Sequence, residues 1–486
     1  VNHTYYTLQD NPRASCTIVL YKNVDDLFQW ISDNNLAAPV AYLKQQIENK
    51  AKCLHCKLSD PVQTDLLAIN IDASAHQLNK HTIAAKLEAA DITSSEFLLV
   101  GGQVDSSDED QSRYACKTVA AALGIWAHDG KLYKKDKGNH VRSINKLDYQ
   151  GSIDTSDDLM AGSKMASSIG KVMDLVNAPS NRKTPVDMAA WMKQSSQEHG
   201  YKLTIMEMDE LKAKGFHALL AVNRGSEIGA KCLIAEYRPK GATTHVVLVG
   251  KGVTFDTGGI SIKGASNMHY MKSDMGGAAA VMGTTDLAAS LGIRINITMI
   301  VPTTANSVDG LSINPGDIID SYSGKTIEVI NTDAEGRLIL ADALAYAVDK
   351  YPCDHLVDLA TLTGSVVRAL GTETSGFMTH DDELARSMKR AGEACGERTW
   401  RLPLWKEYHS YMESDLADIS NLANKPMAGA ITAGKFLEFF TEEHSSWLHI
   451  DIAATAFGKM PGYKDYAATG YGVDLLCTWL QTLENS

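Results

Sequence analysis

From Thr184 onward the chain alternates short apolar runs with longer helical ones. That alternation limits the fold to a sheet flanked by helices. Strand candidates are Lys202 to Met206, Cys232 to Tyr237, His245 to Gly250, Ile295 to Val301, Thr326 to Ile330, His355 to Leu359 and Leu448 to Ile452. Helix candidates are Gly277 to Ser290, Leu338 to Tyr351, Glu383 to Cys395, Thr432 to Glu443 and Val473 to Leu483. Thr184-Pro185 opens the first helix of this region, with a threonine cap and a proline in the first turn.

Before that region the pattern is weaker. Thr17 to Tyr21 and Phe97 to Val100 read as strands, and Asp25 to Asp33, His81 to Ala90 and Tyr114 to Gly124 as helices. Gly101-Gly102 and the acidic stretch Asp105 to Asp110 read as an exposed loop. With 486 residues, one core is not expected to hold the whole chain. We expect an N-terminal α/β domain over 1–155 with an assembly or regulatory role, a connecting helix over 156–180 and a catalytic domain over 181–486.

Composition excludes several function classes. The net charge of -13 argues against broad nucleic-acid binding and against an anionic membrane surface, though it leaves room for a local basic patch. No apolar stretch approaches the ~20 residues that span a bilayer. Val1 to Tyr5 lacks the features of a signal peptide, so a cytoplasmic location is expected. Of the eight cysteines, only Cys53-Leu54-His55-Cys56 forms a C-x-x-C. It lacks the second pair that a zinc site needs, so reduced thiols are the simpler reading.

The charged residues gather in three places. Asn331-Thr332-Asp333-Ala334-Glu335-Gly336-Arg337-Leu338 lies between an apolar run and a helix. Alone, it reads as a polar turn in which Asp333 or Glu335 caps the helix. Lys251, Asp256 and Lys263 fall in a glycine-rich stretch after the strand His245 to Gly250. The spacing of a phosphate loop is absent there. Asp274 precedes a helix that begins with small residues, and an ordinary N-cap is the competing reading. In open α/β sheets ligands bind beyond the carboxyl ends of the strands. Lys251, the Asp333 to Arg337 stretch and Thr361 each follow a candidate strand, so their loops are expected at one sheet edge. Four carboxylates in a shared pocket (Asp256, Asp274, Asp333 and Glu335) cannot all stay ionised without cations. Two divalent metals would supply that charge and activate water.

These motifs resemble those of the leucyl (cytosol) aminopeptidase family of two-metal exopeptidases. Asn331 to Leu338 is similar to that family's signature, and Val249 to Lys263 to its metal loop. Met271-Lys272-Ser273-Asp274-Met275-Gly276-Gly277 follows at the expected distance, and Ala360-Thr361-Leu362-Thr363-Gly364 resembles its substrate cleft. The resemblance implies an α/β fold whose larger C-terminal domain has a central mixed sheet flanked by helices and carries a two-metal site. It implies two divalent ions, Mn or Zn, held by Lys251, Asp256, Asp274, Asp333 and Glu335, with Asp256 and Glu335 bridging. Lys263 would polarise the scissile carbonyl, and Arg337 would hold a bicarbonate as general base. Met271, Thr361, Leu362, Gly364, Ala453 and Ala456 would contact the substrate, a peptide with a free N-terminus and a Leu-like first residue. A homohexamer is implied as well. The alternative that the resemblance leaves open is an accessory or regulatory DNA-binding role.

Departures from the family pattern are small. Thr257 stands where serine is common, Gly229-Ala230 replaces a proline pair, and Ala454 replaces a glycine. Ala456 takes the place of a larger apolar residue in some members, which suggests a roomier first-residue pocket. His269 is not needed as a ligand, and Phe439-Phe440 reads as core.

Overall fold

A computed structural model of the chain describes residues 16–22, 24–34, 40–49, 51, 53–58, 64–71, 79–92, 96–100, 109–130, 133–135, 142, 144–151, 153–460 and 463–484. They fall into two compact units, Val1–Gly170 and Lys171–Ser486. The sequence readings at Val1 to Tyr5 and over 101–108 lie outside the described residues.

In the first unit, β1 (Cys16–Tyr21), β2 (Cys53–Leu58), β3 (Thr64–Asn70), β4 (Glu96–Val100) and β5 (Lys146–Gln150) form one sheet in the order β2-β3-β1-β4-β5. β2 runs antiparallel to β3, and the other pairs are parallel. The helices are α1 (Val24–Asp33), α2 (Val40–Glu48), α3 (Lys80–Ala89) and α4 (Glu109–Ala127). Leu27, Ile31 and Leu43 pack on Val19, Tyr21, Leu54 and Leu66. Glu109 and Asp110, expected in a loop, form the first turn of α4, where carboxylates favour the positive end of the helix dipole. Cys53 and Cys56 are three apart on β2, so their side chains leave opposite faces of the strand. Both are free, and burial pushes their thiols up to about 12 and about 11.

The division between the units falls inside α5 (Ser156–Asn177). The second unit contains β6 (Lys202–Met206), β7 (Lys231–Tyr237), β8 (His245–Gly250), β9 (Gly252–Asp256), β10 (Asn296–Asn306), β11 (Ile318–Asp320) and β12 (Thr326–Glu328). It continues with β13 (His355–Ala360), β14 (Ser375–Met378), β15 (Thr399–Arg401), β16 (Ile419–Ser420) and β17 (Trp447–Asp451). Its helices are α6 (Pro185–His199), α7 (Met208–Lys214), α8 (His217–Asn223), α9 (Gly276–Leu291) and α10 (Gly336–Lys350). They are followed by α11 (Gly364–Leu370), α12 (Asp382–Cys395), α13 (Gly429–Glu438) and α14 (Val473–Glu484). The main sheet runs β15-β14-β17-β13-β8-β10-β7-β6, with β9 added beside the far half of β10.

The fold is therefore mixed α/β. Its centre, β17-β13-β8-β10, is wholly parallel, so four carboxyl ends point the same way. Val246 to Val249 are fully buried, as a central strand covered by helices on both faces requires. Val247 and Val249 join the core formed with α8, α10 and α13. On the other face, Gly250 lies against Ala278 and Val281 of α9. No described helix is long and apolar enough to cross a membrane.

Several sequence expectations need correction. The run Thr326 to Ile330 is a strand only over Thr326–Glu328, and it belongs to a separate three-stranded sheet, β11-β12-β16. Asp333 to Arg337 therefore do not follow a strand of the main sheet. The metal-loop stretch is partly strand, because β9 pairs with β10 from Thr303↔Gly252 to Asn306↔Asp256. The helix expected over Thr432 to Glu443 ends at Glu438, and Glu442 and Glu443 then turn with φ values of 47° and 57°.

Candidate metal centre and cleft

The edge of the parallel sheet brings the chemistry together. Lys251 follows β8, and its N–H donates to the Leu359 carbonyl of β13 at 3.0 Å. Thr361 follows β13, and its carbonyl accepts from Lys251 Nζ at 3.0 Å. Asp256 ends β9 and accepts from Asn306 Nδ2 of β10 at 2.8 Å and from Gly258 N–H at 2.9 Å. Asp274 stands just before α9. Close approach of that helix depends on Gly277, where a Cβ would meet the Leu359 carbonyl oxygen at 2.1 Å.

The stretch Asn331 to Leu338 folds as a turn entering a helix. Glu335 is the residue before α10, has helical backbone angles and makes no side-chain cap. The capping reading therefore fails. Nor is the stretch extended, because Arg337 already lies inside α10. Asn421, in a distant loop, shapes the turn: its Oδ1 accepts from the N–H groups of Ile330 and Asn331 at 2.8 and 3.2 Å. Its Nδ2 donates to the Asn331 carbonyl at 2.7 Å. Thr332 Oγ1 accepts from Ser261 N–H and donates to the Gly258 carbonyl. This ties the turn to the glycine loop, whose Gly258 and Gly259 take φ values of 88° and 64° that only glycine adopts readily.

The result is a cluster of alternating charge. Lys251 Nζ lies 2.8 Å from Asp274 and 3.0 Å from Glu335. Lys263 Nζ lies 2.7 Å from Asp256 and also pairs with Asp333. Oxygens of Asp256, Asp333 and Glu335 lie within 4.8 Å of one another. Burial and the Asp256 carboxylate push Glu335 up to about 8. Asp274 is pushed up to about 6 by burial, against the pull of Lys251. Asp333 is raised too, by burial first and then by Asp256. Burial works against the Lys251 ammonium, yet the carboxylates of Asp274, Glu335 and Asp256 outweigh it and hold the group charged.

The donor set fits divalent cations. Three carboxylates lie within one ion's reach, and two of them, Asp333 and Glu335, are held above their ordinary values by burial and the Asp256 charge, a charge deficit that metal would fill. Glu335 Oε2 is buried and has no hydrogen-bond partner among the described residues. The donor chemistry, oxygens with one lysine that would serve only after losing its proton, does not choose between Mn and Zn. Arg337 donates through Nη1 to the Asn421 carbonyl at 2.9 Å, while its buried Nε has no partner among the described residues. Burial lowers this guanidinium to about 10.

A cavity of about 790 Å³ opens over the cluster. It brings together Lys251, Asp256, Lys263, Asp274, Asp333, Glu335 and Arg337 with Met271, Thr361, Leu362, Gly364 and Ala453. Ala456 is not on its wall; it is buried beside Gly276, where an added Cβ would lie 3.1 Å from its methyl group. His269 packs on Tyr270 instead. Phe440 is fully buried, as a core residue should be.

Sequence reasoning missed three supporting residues. Asp451 accepts from Leu362 N–H at 3.0 Å and from Thr363 Oγ1 at 2.6 Å, which fixes the Thr361 to Gly364 backbone. Lys183, almost wholly buried, donates to the Val176 carbonyl at 3.2 Å and to that of Lys272, two residues before Asp274. Asn421 is the third. Asp451 was legible as part of a polar end to β17; Lys183 and Asn421 carry no local signal.

Comparison with known proteins agrees with this geometry. Residues 171–477 match the catalytic domain of the cytosol aminopeptidase family. A probable cytosol aminopeptidase of Chloroherpeton thalassium is 48% identical over 316 residues, 65% of this chain and 62% of that protein. The matched stretch thus spans a little under two thirds of that relative. A probable cytosol aminopeptidase of Chlorobaculum tepidum is 44% identical over 358 residues, 72% of this chain and 71% of that protein. Among solved structures, the bottromycin maturation enzyme BotP in complex with Mn superposes with a TM-score of 0.82 at 28% identity. That match covers 97% of this chain and 100% of BotP. On the strength of both its catalytic unit and its relatives, the chain belongs to the cytosol aminopeptidase family.

Proposed function

We propose that the chain is a metal-dependent aminopeptidase that releases N-terminal residues, Leu-like by preference, from short peptides. The observation that carries this reading is the convergence of four carboxylates and two lysines beneath one open cleft, with Glu335 Oε2 left without a partner among the described residues. Lys251, Asp256, Asp274, Asp333 and Glu335 would hold two divalent ions. When bound, two Mn or Zn ions supply Lewis-acid charge and an activated water.

The chain's own residues do the rest. Lys263, partly exposed on the cleft lining, donates to the scissile carbonyl and stabilises the oxyanion that develops there. Arg337 offers its Nε–H, which has no partner among the described residues, to a bicarbonate that serves as general base. The backbone of Thr361, Leu362 and Gly364, braced by Asp451, aligns the substrate main chain. Met271 and Ala453 border the first side chain. A free α-amine is required because it binds at the cation cluster. The first unit serves assembly or regulation, in a homohexamer.

The test pairs leucine amide with its N-acetylated form. Turnover of the first alone, abolished by chelation and restored by Mn or Zn, is expected; equal turnover of both would refute amine anchoring. Lys263→Ala should lose far more rate than metal content, and a metal-free variant would reassign Lys263.

A further inference from the structure

The cleft carries more positive charge than its reacting centre uses. Its lining contains nine charged residues. Seven belong to the cluster just described, where Lys251 and Lys263 are neutralised by carboxylates and Arg337 is buried against the Asn421 carbonyl. The remaining two, Arg368 and Lys425, are both cations, both exposed, and neither has a carboxylate partner among the described residues. In a chain of net charge -13, two unneutralised cations lining one cleft run against the overall charge.

Their placement follows the path of a bound peptide. Arg368 lies in the last turn of α11, and its Nη2 reaches back to within 3.9 Å of where a Cβ on Gly364 would sit. Gly364 is three residues beyond Thr361, whose carbonyl touches Lys251 Nζ. Three Cα steps span at most about 11 Å. A peptide anchored by its amine at the cluster places its second Cα about 5 Å from that amine, and a Glu side chain or a C-terminus extends onward toward Arg368. Lys425 approaches from the other chain segment, four residues after Asn421. Its Nζ sits 4.2 Å over the Tyr411 ring, which holds the ammonium in place without neutralising it.

Resting on the aminopeptidase reading, we propose that Arg368 and Lys425 make the cleft selective for peptides with a carboxylate at or next to the second residue. That carboxylate is either an acidic side chain or the C-terminus of a dipeptide. Arg368 supplies a planar fork that matches two carboxylate oxygens, and Lys425 supplies a second point charge. The preference resides chiefly in KM, because the contact forms in ground and transition states alike. Exposed pairs of this kind give roughly 3- to 30-fold discrimination when two act together. Salt screens them, so the preference shrinks as ionic strength rises.

The experiment uses the full-length, metal-loaded protein and four peptides. Leu-Glu-amide against Leu-Gln-amide reports the side chain, and Leu-Gly against Leu-Gly-amide reports the C-terminus. A roughly 3- to 30-fold higher kcat/KM for the charged member of either pair is expected, and the pair that shows it identifies the source. Arg368→Gln and Lys425→Gln should bring that ratio toward one, and raising salt should lower it in the wild type. Ratios near one in both pairs, or a ratio that both variants leave intact, would overturn the inference while leaving the peptidase reading standing. Failure to cleave any of the four peptides would overturn the peptidase reading and this inference with it.

Discussion

Gly336→Ala is the smallest change that should disable the site from within. A Cβ at Gly336 would lie 2.4 Å from Cε, 2.6 Å from Nζ and 2.8 Å from Cδ of Lys251. Carbon atoms in ordinary contact stand about 3.5–4.0 Å apart, so the end of Lys251 must retreat by about 1 Å. Lys251 is only 3% exposed and has little room to do so. A retreat of that size takes Nζ from 2.8 Å and 3.0 Å, its distances to Asp274 and the Thr361 carbonyl, beyond hydrogen-bond range. Breaking a buried ion pair costs about 3–5 kcal/mol. Alanine returns at most about 1 kcal/mol of helix propensity, so the expected net loss is about 2–4 kcal/mol.

Urea denaturation of the metal-free protein measures that loss. Gly264→Ala serves as control, because a Cβ there meets nothing within 4 Å. It should stay within about 0.5 kcal/mol of wild type. The decisive measurement is a double-mutant cycle with Lys251→Ala. Once the lysine is shortened, the clash disappears, and adding Gly336→Ala should cost little. Activity of Gly336→Ala should also fall, since Lys251 no longer joins Asp274 to Glu335. If the cost of Gly336→Ala is undiminished in the Lys251→Ala background, the lysine is not what the methyl group strikes, and the reasoning fails.

Asp451→Asn should raise KM about 10-fold with metal content unchanged, because one bond to the Thr361 to Gly364 backbone is worth about 1.5 kcal/mol; steady-state kinetics with elemental analysis checks this. Chelation should lower the thermal midpoint and added Mn or Zn restore it, by about 2.7 kcal/mol at a hundredfold excess over Kd. His449 is buried, which lowers its pKa, but the Asp358 carboxylate at 2.5 Å outweighs this and raises it above 6.5. Its folded value being raised, the pair's stabilisation is fully present below about pH 6.5 and is lost as pH rises through the folded pKa. Wild type should therefore lose stability over that window relative to His449→Phe, as read from urea midpoints against pH.

Strand positions were legible where burial writes itself into composition. His245 to Gly250 has the continuous apolar run of a strand covered on both faces, and β8 has those bounds. β10 is longer than its apolar stretch because it continues through Pro302, Thr303 and Thr304. Proline is ordinarily a reason to end a strand, since it cannot donate to the ladder. Here β8 pairs with β10 as far as Ile300, and β9 takes over at Thr303. Pro302 sits at the handover, where no donor is asked of it on that side. β9 itself is short and glycine-led, and only its long-range partner makes it a strand.

The site divides along the same line between what is local and what is not. Asp256, Asp274, Asp333 and Glu335 were visible as residue types, and the need for cations followed from their number. What one sequence stretch could not supply was the shape of Asn331 to Arg337. An extended segment and a capped turn both suit the local pattern, and the choice between them is made by Asn421, some 90 residues away. Its side chain holds the turn, and its carbonyl accepts from Arg337, so one asparagine sets where Glu335 and Arg337 point. The raised pKa values follow from that placement rather than from the residues themselves: the same carboxylates spread along an extended, solvated strand would ionise normally. Burial beneath a turn braced from a distance is what converts three ordinary acids into a donor set suited to cations.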